Sequence, residues 1–251
     1  MKADVIRTLA QHTLFVAVAL GLWEWGARTG WVDPSFVGSP LGIASFTLEN
    51  LTNARLWGDL GWTLMAVFAS FFIGSAAAMA TGLAFVSWPR LEAFCEPYVA
   101  AINVLPRIAL VPLFILWFGL GVGSKIAMGV SLTFFIVLST TVAGIRGVSQ
   151  DHVTLTRTLG ASSQQMFFWV TLPGAVPVLF SGLRLGLIYA FLGVVGAEVI
   201  ASERGLGQQL AYLGSTFNVN GVWSLLFDLA LIGVLIMKLM SWIERRLLHW
   251  Q

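Results

Sequence analysis

The chain has 251 residues, 57% of them hydrophobic and 10% charged, with a mean hydropathy of +0.84. Soluble domains carry about 25% charged residues, so an ordinary water-soluble fold is excluded. A net charge of +2 without a basic run excludes a nucleic-acid binder, and a single cysteine, Cys95, excludes both an internal disulfide and a cysteine-based metal site.

A helix rises 1.5 Å per residue, so crossing a ~30 Å hydrocarbon layer takes roughly 20 apolar residues. Six segments reach that length: 13–31, 62–86, 97–119, 126–145, 176–199 and 222–243. They predict an all-α polytopic membrane protein, with residues 1–251 as one transmembrane domain and its core at 62–245. Lys2 and Arg7 ahead of the first segment imitate a secretory signal. The apolar run continues through Trp23 and Trp25, however, with no Ala-x-Ala site before Thr29, so it reads as a retained span.

Ser39-Pro40 then offers a helix start, a capping hydroxyl followed by proline at the first helical position. The mildly amphipathic stretch after it is expected to lie along the outer face. Gly74, Ala78 and Gly82 in the second segment, and Gly182, Gly186, Gly193 and Ala197 in the fifth, let helices approach closely and predict a tight bundle with a packed partner. Pro106 and Pro112 predict a kinked third span, since each removes a backbone donor. Gly119 to Lys125 looks like a phosphate loop, but the position five after Gly119 is Ser124. It reads as a hairpin turn between the third and fourth spans. Cys95 reads as a small apolar residue.

Orientation follows from the basic residues. With the N-terminus inside, Lys2, Arg7, Arg90, Arg146, Arg157, Arg245 and Arg246 are cytoplasmic, against Arg55, Lys125 and Arg204 outside. Seven against three predicts both termini and the 146–175 loop in the cytoplasm.

That loop carries the most information. Ser149 or Asp151 caps a short helix through Thr154, Leu155, Thr156 and Arg157, and Gly160 stands where a left-handed residue ends it. Ser162 and Gln165 have the spacing of a capping box for a second short helix through Met166 and Trp169. Leu172-Pro173 is expected to end that helix and turn the chain into the fifth span. From the residues alone the two short helices read equally well as a cytoplasmic corner or as an amphipathic hairpin lying on the membrane surface.

With these features the loop resembles the EAA loop of ABC-importer permeases. Gly160 takes the glycine position and Val170-Thr171-Leu172-Pro173 the ending. Thr154, Leu155 and Thr156 stand where Glu-Ala-Ala is usual, which removes an acidic contact to an ATPase but not the glycine corner. Leu105 to Leu113 with Ile115 to Gly119, Gly196 to Ser202 with Gly205-Leu206-Gly207, and the tail Glu244 to Trp250 are similar to the nitrate/sulfonate/taurine-type permeases.

The resemblance implies a type I importer. Two permease subunits, by the family's pattern two copies of this chain in a homodimer, would join two ATP-binding-cassette ATPase subunits and an extracytoplasmic solute-binding protein in the bacterial inner membrane. ATP and Mg would be bound by the ATPase, and no cofactor by this chain. Thr154, Leu155, Thr156, Arg157, Gly160, Ala161, Val170, Leu172 and Pro173 would couple to the ATPase. Asn103, Pro106, Arg107 and Glu198 are candidates for the translocation path.

The single residues leave alternatives open. Glu198, near the outer end of the fifth span, reads as a gate residue or as a structural hydrogen bond. Arg107 reads as a positive element on an anion's route, or as a partner of Glu96 or Glu198. Arg184 reads as an interfacial anchor, and Glu24 and Asp228 as satisfied polar contacts. His12, His152 and His249 are too scattered for a metal site. A small anion such as a sulfonate, taurine or nitrate fits the family as solute, as do vitamin precursors. The competing reading is an ATP-independent channel or secondary transporter, against which the lack of an evident inverted repeat weighs. No catalytic cluster suggests an enzyme.

Overall fold

The computed structural model describes residues 2–247, leaving aside the side chains of 2–6 and 9. Lys2 as a counted side chain and the tail residues Leu248, His249 and Trp250 therefore lie outside the described residues. Among the described residues every regular element is helical. In chain order they are α1 (Lys2–Thr29), α2 (Pro34–Val37), α3 (Pro40–Asn50), α4 (Ala54–Ser87), α5 (Pro89–Val104), a 3₁₀ turn (Arg107–Leu110) and α6 (Val111–Phe118). There follow α7 (Val122–Arg146), α8 (Gln150–Thr158), α9 (Ser163–Met166), a π turn (Phe167–Thr171), α10 (Leu172–Ile200), α11 (Leu206–Ser215) and α12 (Val219–Leu247).

Among the described residues four helices are long and apolar enough to cross a membrane: α4, α7, α9 with its continuation α10, and α12. The third expected span is a fifth only if α5 and the 3₁₀–α6 segment count together, because they meet at 89°. The kink expected there is thus a break. Pro106 lies in extended backbone between the two pieces, and Pro112 occupies the first turn of α6, where no intrahelical donor is needed. α1 has the length of a span but not the apolar window of the other four. Gln11, His12 and Glu24 dilute it.

α7 lies between α4 and α10, and the small residues explain how closely. A Cβ on Gly74 would sit 3.0 Å from Thr133, one on Gly82 2.7 Å from Thr141, and one on Gly186 2.7 Å from Val137. Gly182 faces Thr140 and Gly193 faces Gly129 in the same way. These glycines are all used against α7 within the chain. They give no free face for the packed partner that the sequence suggested.

The apolar core follows the same axis. Ala66, Val67 and Phe71 of α4 meet Leu187, Ala190 and Val194 of α10, with Ile236 and Met240 of α12 behind them. Cys95 packs beside Ala78, Phe85 and Leu138, as expected of a small apolar residue.

Several polar readings change in three dimensions. α3 begins at Ser39-Pro40 as expected, its Ser39 side chain accepting from the Gly42 N–H at 3.1 Å. It does not merely lie on a surface: the Ser39 N–H donates to Asn220 (2.9 Å) and Thr47 shares a hydrogen bond with Ser224 of α12 (2.8 Å). Arg184 is no interfacial anchor but forms an ion pair with Glu244 of α12. Lys125 is not in a loop. It belongs to α7, is 1% exposed, and donates to the Leu120 carbonyl at 2.6 Å. The phosphate-loop lookalike is thus partly a helix start.

Glu24 is satisfied, bonded to Arg28 at 2.7 Å and to the Leu41 N–H at 3.1 Å. Asp228 is not: its Oδ2 is buried without a partner.

Candidate functional site: the Gly160 corner, the broken helix and the outer polar cluster

The α8–α9 corner is built by local sequence. Ser149 caps α8, accepting from the Asp151 N–H at 3.3 Å. At the other end the Gly160 N–H donates to Arg157 O at 3.0 Å and the Ala161 N–H to Thr156 O at 3.3 Å. These 5→2 and 6→1 bonds form a Schellman motif, which needs a left-handed residue at its C′ position, and Gly160 has φ +84°.

The capping box forms in full. The Ser162 N–H donates to Gln165 Oε1 at 2.8 Å and the Gln165 N–H to Ser162 Oγ at 3.3 Å. The corner's root is apolar, with Val148 packed against Ala175 and Leu172. Its tip is open: Leu155, Leu159 and Trp169 are 59%, 78% and 80% exposed. Among the described residues nothing lies within 4 Å of where a Gly160 Cβ would be.

One expectation fails here. Leu172-Pro173 does not end the second helix, for the chain runs from Ser163 to Ile200 as one apolar rod. Pro173 has no N–H, and its ring would collide with the Trp169 carbonyl in a regular helix. The π turn just before it, in which the Leu172 N–H donates to Phe167 O, widens the helix at that point. The corner is therefore rigidly continuous with α10.

Thr154, Leu155, Thr156, Arg157, Gly160 and Ala161 thus gather on α8 and the turn, while Val170, Leu172 and Pro173 form the junction with α10.

The path candidates separate into two places. Asn103, Pro106 and Arg107 stand together at the α5–α6 break, where Arg107 Nη2 donates to Asn103 Oδ1 at 3.3 Å. The Arg107 guanidinium lies 4.1 Å from the centre of the Phe135 ring of α7. Among the described residues it pairs with neither Glu96 nor Glu198. Its positive charge is carried by an aromatic face and an amide.

Glu198 lies near the C-terminal end of α10, 1% exposed. Both its carboxylate oxygens accept from Thr63 Oγ1 at 3.0 Å, and Oε2 also accepts from the Gly207 N–H at 2.9 Å.

Around Glu198 lies a cluster the sequence did not single out. Asp59 accepts from the Gly205 N–H at 3.1 Å and from the Gln209 side chain, and Thr63 Oγ1 accepts from the Leu206 N–H at 2.9 Å. The first N–H groups of α11 have no partners of their own in a helix, and here α4 and α10 supply them. Carboxylates at that end also complement the helix dipole. Glycine is required where the elements meet: a Cβ on Gly207 would lie 2.6 Å from Val195 O. The signal available in the sequence was a pair of acids, Asp59 and Glu198, at the ends of two apolar segments.

This fold, a three-helix core with an external corner and a sealed outer cluster, is that of a transporter permease. Its backbone matches an amino acid ABC transporter chain (TM-score 0.65, 19% identity, 80% of this chain and 98% of that one). It matches a chain of the inward-facing MetNI methionine ABC transporter equally well (TM-score 0.66, 20% identity, 78% and 98%). The chain belongs to the family of binding-protein-dependent transport system inner membrane components, whose model matches residues 70–249.

Relatives over almost the whole length include the taurine transport system permease protein TauC of Escherichia coli (31% identity, 97% of this chain and 90% of that protein). The formylaminopyrimidine transport permease protein ThiX of Halalkalibacterium halodurans is 29% identical, covering 96% of each chain. The riboflavin transport system permease protein RibX of Chloroflexus aurantiacus is 32% identical over 92% of this chain and 87% of that one. The protein is therefore a multi-pass membrane permease of an ABC importer, of the sulfonate/taurine/nitrate type that the sequence suggested.

Proposed function

We propose that this chain forms half of the translocation pathway for a small organic or inorganic anion, sulfonates foremost, and that the Gly160 corner seats in a cleft of a partner ATPase in the inner membrane. The observation that carries the coupling role is the corner itself: a Schellman turn and a capping box presenting apolar side chains outward from a helix continuous with α10. Leu159 and Trp169, largely exposed at the tip, offer an apolar surface for a partner to bury.

In this reading ATP and Mg are bound by the ATPase, and a solute-binding protein delivers the solute to the outer end. A second copy of the chain completes the path. Nucleotide binding shifts the importer only through an unequal affinity for its two states, and the α9–α10 rod is the element that transmits the difference. The anion assignment is supported by Arg107 at the helix break and by relatives named for taurine and for aliphatic sulfonates. Relatives named for riboflavin and formylaminopyrimidine keep a wider solute range in the family.

The test is a pair of substitutions at Gly160. Gly160→Ala imposes only the left-handed backbone strain, about 1–2 kcal/mol, and should leave most uptake intact. Gly160→Trp carries the same backbone strain, and its Cβ meets no atom of the described chain, so a loss well beyond that of Gly160→Ala points to the partner. Uptake of the solute should collapse, and the ATPase should co-purify poorly or hydrolyse ATP without transport. Normal uptake and an intact complex with Gly160→Trp would overturn the coupling role. Gradient-driven transport by the purified chain alone in liposomes would favour a channel or secondary transporter instead.

A further inference from the structure

α12 is the least enclosed of the four long apolar helices: 22% of its apolar window is buried, against 44% for α4. Between it and α10 runs an open cavity of about 880 Å³. Leu187 and Phe191 of α10 and Val234 and Met237 of α12 line its apolar part. Gly233 forms its floor, where a Cβ would find only Phe191, at 3.8 Å. From Ala230 to Arg245 the groove follows α12 for ~22 Å at 1.5 Å per residue. That is one leaflet of hydrocarbon and the start of its headgroup layer.

The end nearest the C-terminus differs in chemistry. Lys238, Ser241, Trp242 and Arg245 all line it, at the i, i+3, i+4, i+7 spacing that places them on one helix face. Among the described residues neither Lys238 nor Arg245 has an ion pair or a hydrogen bond, whereas Arg146 and Arg184, also in the long helices, are matched to Glu92 and Glu244. An unpaired cation beside hydrocarbon is costly, and it sits more comfortably with a counter-charge supplied from outside the chain. Trp242 has the residue type and position of a headgroup-level anchor. This end is also the one that gathers Arg245 and Arg246, the inner side by charge asymmetry, where anionic lipid meets basic pockets between helices.

We propose that the α10–α12 groove is a binding site for an anionic phospholipid of the inner leaflet. One acyl chain lies over Gly233 between Phe191 and Met237, and the phosphate is held by Lys238 and Arg245. The occupant is a lipid rather than a protein segment because an apolar trough of leaflet length ends in two unmatched cations on one face. A second copy of this chain would have to bring carboxylates to that spot to fit as well.

The experiment uses the full chain purified with its co-purifying subunits and placed in nanodiscs of phosphatidylcholine alone or with phosphatidylglycerol. Lipid retained after detergent extraction is read by native mass spectrometry, and the thermal unfolding midpoint is read alongside. The wild-type protein should retain phosphatidylglycerol and unfold at a higher temperature with it. Lys238→Gln/Arg245→Gln should lose the preference for phosphatidylglycerol over phosphatidylcholine by tenfold or more. Gly233→Phe should reduce retention of both lipids by filling the trough. Gly233→Ala, which leaves most of the space open, is the control for folding and should behave as wild type.

Equal retention of the two lipids by the wild type, or an unchanged preference in the double variant, would overturn the proposal. So would loss of a second copy, with lipid retention unaltered, in Gly233→Phe. None of these readings involves the Gly160 corner, so the result is independent of the coupling role.

Discussion

Glu198 shows how a single ionisable residue takes its meaning from its neighbours. In the sequence it is an acid at the end of an apolar run, which fits a gate as well as a structural bond. In the fold its carboxylate, with Asp59 and Thr63, accepts the N–H groups that begin α11. Thr63 both donates to Glu198 and accepts from Leu206, so its hydroxyl joins α4, α10 and α11. Thr63→Val keeps the shape and removes that hydroxyl, leaving a buried N–H without a partner. It should cost about 1–3 kcal/mol, read as a lower thermal unfolding midpoint, while Thr63→Ser should recover most of it. An unchanged midpoint in Thr63→Val would mean that the cluster does not hold the outer end together. Gly207→Ala should destabilise by a similar amount, about 1–3 kcal/mol, because its Cβ would press on the Val195 carbonyl.

Elements that end in local bonds were legible before any fold was known. The Gly160 turn and the Ser162–Gln165 box are set within about six residues, and both form as the sequence indicates. The proline-containing elements were read less well, because a proline says what the backbone lacks and not how the chain responds. At Pro106 the response is a break of 89°, and at Pro173 it is a π turn inside a continuous rod. Pro173→Ala restores the missing donor and removes the cause of the wide turn. Relaxation to α geometry would rotate the corner by roughly 100° about α10, one residue's worth. Uptake should then fall while the chain still inserts and still binds its partner, as co-purification would report. Uptake at the wild-type rate would mean that the π turn relieves strain without setting the corner's direction.

At the scale of the whole molecule, α4 and α10 clasp α7 through glycines set against threonine and valine. The closeness makes a coupled prediction. Gly186→Ala forces its Cβ onto Val137 and should cost about 1–3 kcal/mol by overpacking. Val137→Ala alone leaves a void and also destabilises. The double variant should cost less than the sum of the two, since one change fills the space the other opens. Simple additivity of the two unfolding shifts would show that the helices do not touch there. The same packing gives the small-residue stripes a neighbour inside the chain. Their spacing reports that something approaches closely, and the neighbour is α7 of the same chain.

Composition, the length of apolar runs and local capping patterns settled that this is a helical membrane protein with a glycine corner, because each depends on the solvent or on residues a few positions apart. Which helix each glycine faces, the pairing of Arg184 with Glu244, the burial of Lys125 and the gathering of Asp59, Thr63 and Glu198 around α11 waited for the tertiary structure. Most of those contacts join residues tens to more than a hundred positions apart. The free energy that selects them, burial and the pairing of polar groups out of water, exists only once the helices have come together.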